Sequence, residues 1–295
     1  MIIPILLVVA GFISLIFGAN WLVDGASALA KKYKVSDLVI GLTIVAFGTS
    51  APELVVNSIA SVKGYSDIVL GNIIGSNNFN LFIILGLSGL LLPVKVQTST
   101  AWKEIPISLF VSVLLLFLLN DFVFTGTSYS GRLDGLIMLV LFCFFLYYVF
   151  NQMKNDPQTV TPEIQKSALK VWGLITIGLG GLILGGQLVV VNSVEIANAL
   201  GVSEKIIGLT IVAAGTSLPE LVTSIVAATK KNSDIAIGNV IGSNIFNVLL
   251  ILSISSIIRP IEYNPKFNLD LLILIGGTVF LFTSMLTGQR PVNLS

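Results

Sequence analysis

The chain has 295 residues, of which 55% are apolar and 11% are charged, whereas about 25% of the residues in an ordinary soluble domain are charged. The 16 Lys and Arg residues nearly balance the 15 Asp and Glu residues, so the sequence offers no basic surface for a nucleic acid. It contains no His and a single cysteine, Cys143, which argues against a zinc site and excludes an internal disulfide.

Nine apolar stretches follow one another along the chain, and each is long enough to cross a bilayer. A crossing needs about 20 mostly apolar residues, and a helix satisfies its own backbone hydrogen bonds within lipid. Because no Lys or Arg precedes the first stretch, we interpret it as a retained helix and not as a cleaved signal. The predicted membrane helices are 3–23, 38–62, 68–93, 105–125, 133–151, 171–194, 205–228, 235–258 and 268–287.

The longest polar interval, 153–167, predicts a linker between an N-terminal half, 1–152, and a C-terminal half, 168–295. The connections on its side of the membrane, together with the C-terminal tail, carry eleven of the Lys and Arg residues, and the connections on the other side carry five. Positive charge favours the cytoplasmic side. We therefore predict a multi-pass protein of the plasma membrane with its N-terminus outside and a cytoplasmic linker.

An internal repeat relates the two halves. Residues 41–85 and 208–252 are identical at 28 of 45 positions at a constant offset of 167, and the similarity extends the repeats to 37–85 and 204–252. The copy of the second stretch is the seventh, five crossings further along the chain, so the copies run in opposite directions. The sequence predicts an all-α integral membrane protein with two inverted-topology repeats of five transmembrane helices, of which nine are present and the tenth is missing from the C-terminus.

Two acids, Glu53 and Glu220, recur in the repeats deep within apolar stretches, where no Lys or Arg accompanies them. A charge at the centre of a membrane helix costs about 2.5 to 3.5 kcal/mol, so each carboxylate needs a partner or a proton. A mobile cation can be that partner. The alternative is a pair of structural acids hydrogen-bonded to neighbouring helices.

Each of these acids follows a proline, Pro52 or Pro219, which lacks an N–H and kinks its helix. The kink frees backbone oxygen beside the acid, and neighbouring hydroxyls complete an all-oxygen environment of the kind that Ca²⁺ and Na⁺ prefer. The hydroxyl residues are Thr49, Ser50, Thr216 and Ser217.

The second part of each repeat has the pattern Gly-Asn-x-Ile-Gly-Ser-Asn-x-Phe-Asn. Ser76 and Asn80 are four residues apart and share a helix face, as do Ser243 and Asn247. We expect each face to meet the glutamate of its own repeat. The glycines four residues apart in this pattern favour close helix packing.

The paired segments GTSAPE and GTSLPE, each followed by GNxIGSNxFN, resemble the alpha repeats of sodium/calcium exchangers in the cation/calcium exchanger superfamily, of the prokaryotic type. The resemblance covers essentially the whole chain. It implies a cation site shared by Ca²⁺ and Na⁺, with Asn247 at a position where some members, including potassium-dependent ones, have Asp. The ligands implied are Glu53, Glu220, Thr49, Thr216, Ser50, Ser217, Ser76, Ser243, Asn80, Asn247 and the backbone of Ala46 and Ala213.

The predicted function is antiport of Na⁺ and Ca²⁺ by alternating access, with electrogenic extrusion of Ca²⁺. An alternative is H⁺/Ca²⁺ exchange, although hydrogen-coupled relatives usually have an acid in the Gly-Asn segment, which this chain lacks. A cation channel is a more distant alternative, because it does not require duplicated broken helices. We expect no enzymatic activity, no cofactor, and no partner beyond the two ions and the lipid bilayer.

Overall fold

The computed structural model describes residues 2–91, 100–120, 128–155, 167–201 and 213–288, which are largely helical. Several apolar stretches continue through short π-helical segments, and we treat each continuous helix as one element. Numbered in chain order, the helices are α1 (Ile2–Tyr33), α2 (Asp37–Thr49), α3 (Ala51–Lys63), α4 (Ser66–Leu90), α5 (Trp102–Asn120), α6 (Arg132–Asn155), α7 (Ala168–Ala199), α8 (Ala213–Thr216), α9 (Leu218–Thr229), α10 (Ser233–Ile258) and α11 (Asn268–Gly288).

Within the described residues, seven helices are each long and apolar enough to cross a membrane. Helices α2 and α3 pass the same test together and are bent by 47° at their junction. Helices α8 and α9 belong to another predicted crossing, of which residues 205–212 lie outside the described part of the chain, as does most of the linker 153–167. The predicted all-helical membrane architecture is confirmed.

Helices α1 and α7 pack against each other at backbone distance. A Cβ added at Gly18 would lie 2.8 Å from the carbonyl oxygen of Gly178, and one added at Gly178 would lie 2.6 Å from the backbone nitrogen of Leu22. The Ser14 hydroxyl donates to the carbonyl of Gly181 at 2.8 Å. Because Ser14 and Gly181 occupy equivalent positions of the two halves, this bond marks the contact of one half with its copy.

Helix α10 is the centre of the molecule. In its most apolar window 94% of the residues are buried, compared with 50% in α4, its counterpart in the first half. Gly238 and Gly242 let α2 approach, since a Cβ at either glycine would lie within 2.9 Å of a carbonyl oxygen of Leu38 or Leu42. The close packing predicted from these two glycines is confirmed. The close packing predicted from Gly71 and Gly75 is not: a Cβ added at Gly71 would lie 3.8 Å from its nearest neighbour, Phe267, and one added at Gly75 would meet no described atom within 4 Å.

Two short strands, which the sequence did not predict, close one end of the bundle. Strands β1 (Tyr129–Ser130) and β2 (Ile261–Glu262) pair antiparallel, and the hydroxyls of Ser130 and Ser256 are 2.8 Å apart beneath them. This pairing ties the segment before α6 to the segment after α10.

We expect Gly178→Ala to destabilise the protein by about 1 to 3 kcal/mol, because the new methyl group would press on the backbone of α1. Gly180→Ala on the same helix is the matched control, since an added Cβ there meets no described atom within 4 Å. Thermal unfolding of both variants in detergent tests the difference. Equal melting temperatures would contradict the close contact of α1 with α7.

Candidate cation-binding site

The two glutamates lie where their membrane helices break. Ser50 separates α2 from α3 and has φ −81° and ψ 7°, and Ser217 separates α8 from α9 with φ −89° and ψ 7°. Glu53 and Glu220 therefore lie in the first turns of α3 and α9, where the helix dipole favours negative charge. Each side chain is 1% exposed. Both helices break just before the predicted proline, and α2 and α3 meet at a bend of 47°.

Hydroxyl groups connect each glutamate to the opposite repeat. The Ser50 hydroxyl donates to Oε1 of Glu220 at 2.9 Å, and the Ser217 hydroxyl donates to Oε1 of Glu53 at 3.2 Å. The two bonds are equivalent under the offset of 167. The acids are close enough for their charges to interact. The structure thus brings the predicted residues of both repeats into one site.

The serines of the second motif belong to the same cluster. The Ser50 hydroxyl lies 3.0 Å from that of Ser243, and the Ser217 hydroxyl lies 3.0 Å from that of Ser76. Ser76 is thus connected to Glu53 through Ser217 of the opposite repeat. Each of these hydrogen bonds joins a residue of one repeat to a residue of the other.

Four asparagines form a crossed network between α4 and α10. The amide of Asn80 donates to Oδ1 of Asn244, and the amide of Asn247 donates to Oδ1 of Asn77, both at 2.9 Å. Asn77 and Asn244 each donate to the backbone carbonyl of the other at 3.3 Å. This network holds Asn80 and Asn247 one helical turn beyond Ser76 and Ser243.

Both α4 and α10 become π-helical at this level, over Phe79–Ile84 and Asn247–Leu252 respectively. Such π segments are frequent at functional sites because they redirect side chains and interrupt the regular backbone bonding. The sequence predicted the helices but not these segments.

Among the buried side-chain oxygens that accept no hydrogen bond in the described residues, four belong to predicted ligands. Buried polar atoms are nearly always paired, so each such atom calls for a partner. In the described part of the chain no three or more His, Cys, Asp or Glu side chains cluster in a manner suited to a metal ion. The site therefore combines two carboxylates with neutral oxygens. The unpaired atoms are Oε2 of Glu53, Oε2 of Glu220, Oδ1 of Asn80 and Oδ1 of Asn247.

The remaining predicted residues lie at the ends of the broken helices. The Thr49 hydroxyl is fully buried and donates to Oδ1 of Asn239 at 2.9 Å. The carbonyl of Ala46 accepts the backbone N–H of Ser50 at 3.0 Å. Ala213 and Thr216 are the first and last residues of α8.

Sequence reasoning missed a second layer of amides behind the predicted residues. Asn72 and Asn239 hydrogen-bond the hydroxyls of Thr216 and Thr49, respectively. They are identical in the two repeats, as are Asn77 and Asn244, and this identity within the Gly-Asn and Ser-Asn pairs was the signal that could have found them. Asn57 also belongs to this layer and differs from its counterpart, Ser224.

Comparison with known proteins shows which protein family the chain matches. A profile of the sodium/calcium exchanger protein family matches residues 3–151 and 170–293. The chain is 37% identical to the putative antiporter CaxA of Alkalimonas amylolytica, over 88% of this chain and 82% of that protein. It is 32% identical to the sodium/calcium exchanger MaX1 of Methanosarcina acetivorans, over 95% and 91% of the two chains.

The fold is similar to that of a solved exchanger. A structure of the sodium-calcium exchanger NCX_Mj, soaked with Na⁺ and Ca²⁺, superposes with a TM-score of 0.82 at 32% sequence identity. The match covers 96% of this chain and 90% of the other. These similarities confirm the resemblance inferred from the repeated motifs. The chain belongs to the sodium/calcium exchanger family, whose members are transporters and not enzymes.

Proposed function

We propose that this protein exchanges Na⁺ for Ca²⁺ across the membrane by alternating access. The observation that carries the proposal is the set of unpaired oxygens on Glu53, Glu220, Asn80 and Asn247, two from each repeat. Oxygen ligands of this kind suit hard cations. Their position between broken helices of two halves agrees with the midplane sites of secondary transporters.

Charge balance supplies the reason for exchange. One Ca²⁺ neutralises the two carboxylates, and several Na⁺ ions would neutralise them through the same oxygens. A buried carboxylate without a counter-ion is strongly unfavourable in a membrane. The empty carrier is therefore the least favourable state, and the site passes from one side to the other with one of its two loads bound.

We assign the transported ions to the predicted ligands. The two glutamates hold either ion, the threonines offer carbonyl oxygen to Ca²⁺, and the serines with the alanine carbonyls hold flanking Na⁺ ions. The asparagines line the middle of the site. These residues are Glu53, Glu220, Thr49, Thr216, Ser50, Ser217, Ser76, Ser243, Ala46, Ala213, Asn80 and Asn247.

We further propose that the halves 1–152 and 168–295 act as the two repeats of the transporter in the plasma membrane. The N-terminus lies outside, the linker 153–167 is cytoplasmic, and no protein partner is required. If the charge carried by Na⁺ in one cycle exceeds that of Ca²⁺, the membrane potential contributes about 2.3 kcal/mol per charge per 100 mV. An interior-negative potential then drives Ca²⁺ outward.

Uptake of radioactive Ca²⁺ into proteoliposomes tests this function. We expect uptake when the vesicles are loaded with Na⁺ and diluted into choline, and stronger uptake when valinomycin and K⁺ make the interior positive. Vesicles loaded with choline at matched pH are the control. Uptake driven by an acid interior without Na⁺ would indicate proton exchange, and uptake without any counter-ion would indicate a channel.

A further inference from the structure

A buried serine lies on each of α4 and α10, beyond the residues of the cation site. Ser88 and Ser255 occupy equivalent positions of the two halves, and their side chains are 1% and 0% exposed. Within the described residues the Oγ of each serine has no hydrogen-bond partner. A buried serine in a helix can bond the carbonyl of the preceding turn, as Ser112 does with Ser108 at 2.9 Å. Because buried polar atoms are nearly always paired, the two unpaired hydroxyls need an explanation.

The π-helical segments bring these serines into line with the predicted ligands. Each serine follows an asparagine of the site, Asn80 or Asn247, by eight residues. Two turns of a regular α-helix take about seven residues, and a π turn within them adds about one. Each serine therefore lies on the helix face that carries the asparagine, about 11 Å further from the site. A buried isoleucine, Ile84 or Ile251, lies on this face between the two.

A second unpaired oxygen lies on the helix that packs against each serine segment. Helix α9 packs against Leu85–Leu91 of α4, and α3 packs against Ser253–Ile258 of α10. On α9, Thr223 is one turn beyond the glutamate and fully buried, and its Oγ1 has no partner in the described residues. On α3, the fully buried Asn57 keeps its Oδ1 unpaired, although its nitrogen donates two hydrogen bonds.

These oxygens form two pairs on opposite sides of the cation site. We call Ser88 and Thr223 the first oxygen pair, and Ser255 and Asn57 the second oxygen pair. Helices α4 and α9 both run from the site toward one surface of the membrane. Their inverted copies, α10 and α3, run toward the other surface. Each side of the site therefore has one pair of buried oxygens, separated from the ligands by one isoleucine.

The chemistry of the pairs suits the passage of a cation better than its storage. All four atoms are neutral oxygens that can accept a contact from a hard cation. They carry no formal charge, unlike the two carboxylates of the site. Conduction requires contacts that are favourable enough for an ion to enter and weak enough for it to leave. Neutral oxygens on either side of a charged site meet this requirement.

We propose that each oxygen pair lines the route by which a cation passes between the site and one side of the membrane, and that the isoleucine next to it is the barrier that closes this route. The inference rests on the proposed exchange by alternating access. When a route opens, its oxygen pair replaces part of the hydration shell of the passing ion. Both routes are closed in this structure, since all four side chains are at most 1% exposed.

Thiol accessibility tests the routes, because the single cysteine, Cys143, is exposed and can be replaced by serine. In a Cys143→Ser background, Ser88→Cys and Ser255→Cys are each treated with a small, membrane-impermeant cationic methanethiosulfonate, and mass spectrometry follows the modification. Ser112→Cys, at a similarly buried serine of α5, is the control. We expect S88C and S255C to react at least about tenfold faster than S112C, because an open conformation populated at about 1 to 10% exposes them without local unfolding.

Sealed proteoliposomes, prepared with unequal numbers of the two protein orientations, test on which side each route opens. Tyr33 at the end of α1 and Tyr65 just after α3 are exposed, and one membrane crossing separates them. Tyr33→Cys and Tyr65→Cys therefore report the two surfaces. With the reagent outside only, S88C should be modified to the same fraction as Y33C, and S255C to the same fraction as Y65C. Equal fractions for S88C and S255C would overturn the assignment of one route to each side.

Ser88→Ala and Ser255→Ala test whether the hydroxyls contact the passing ion. We expect the initial rate of exchange to fall about tenfold, the effect of losing one contact to a charged group, while the equilibrium Ca²⁺ dissociation constant stays within about twofold. A serine that only fills space would leave the rate unchanged. Unchanged rates in both variants, or S88C and S255C that react no faster than S112C, would overturn this inference while wild-type exchange stands. Wild-type protein that shows no Na⁺-dependent Ca²⁺ exchange would overturn the proposed function instead.

Discussion

Glu53→Gln and Glu220→Gln are each expected to abolish Na⁺-dependent Ca²⁺ exchange, with a loss of about a hundredfold or more in initial rate. Gln keeps the shape of the side chain but removes one of the two charges that balance Ca²⁺ at the site. Removing one partner of a buried ionic contact costs about 3 to 5 kcal/mol. Initial rates of radioactive Ca²⁺ uptake into Na⁺-loaded proteoliposomes measure the effect, normalised to the amount of folded protein.

Glu104→Gln is the matched control for both variants. Glu104 is fully buried within the protein near the start of α5, and it receives hydrogen bonds from Tyr148 at 2.6 Å and Gln152 at 2.8 Å, two residues outside the cation site. Its replacement removes the same charge from an equally buried position. We expect exchange to persist in this variant. Full exchange in either site variant would remove that glutamate from the cation site.

Asn80→Leu and Asn247→Leu are expected to lower the apparent Ca²⁺ affinity about tenfold or more. Leu has nearly the same shape as Asn but deletes the unpaired Oδ1 that we assign to the cation. It also leaves the buried oxygen of Asn244 or Asn77 without its donor, at a cost of about 1 to 3 kcal/mol. The Ca²⁺ dependence of the exchange rate provides the measurement.

Asn192→Leu serves as the control for these variants. Asn192 is buried in α7 and donates to the carbonyl of Leu188 in its own helix, outside the network at the site. We expect its replacement to leave the Ca²⁺ dependence unchanged. If all three Leu variants lose Ca²⁺ affinity equally, the loss results from replacing any buried amide and not from removing an oxygen of the cation site.

Much of the fold could be predicted from the sequence because only a few kinds of structure can cross a bilayer. Apolar length alone indicated the crossings, and the offset of 167 indicated that two halves share one design. The location of the site followed from chemistry, since Glu53 and Glu220 lack a basic partner in their apolar segments. Pro52 and Pro219 then marked where the helices break.

The contacts between the repeats could not be predicted in the same way. Periodicity places Ser76 and Asn80 on one helix face, but it does not say which neighbour that face meets. In the structure Ser76 contacts Ser217 of the opposite repeat. The π segments depend on tertiary packing and leave no pattern of their own.

Equilibrium binding of radioactive Ca²⁺ to the purified wild-type protein, at increasing Na⁺ concentration, tests most directly whether both ions use the same pair of carboxylates. Shared ligands predict that Na⁺ displaces Ca²⁺ completely, with a Hill slope above one because several Na⁺ ions replace one Ca²⁺. Choline at equal ionic strength should displace none. A fraction of Ca²⁺ that remains bound at saturating Na⁺ would contradict competition for Glu53 and Glu220.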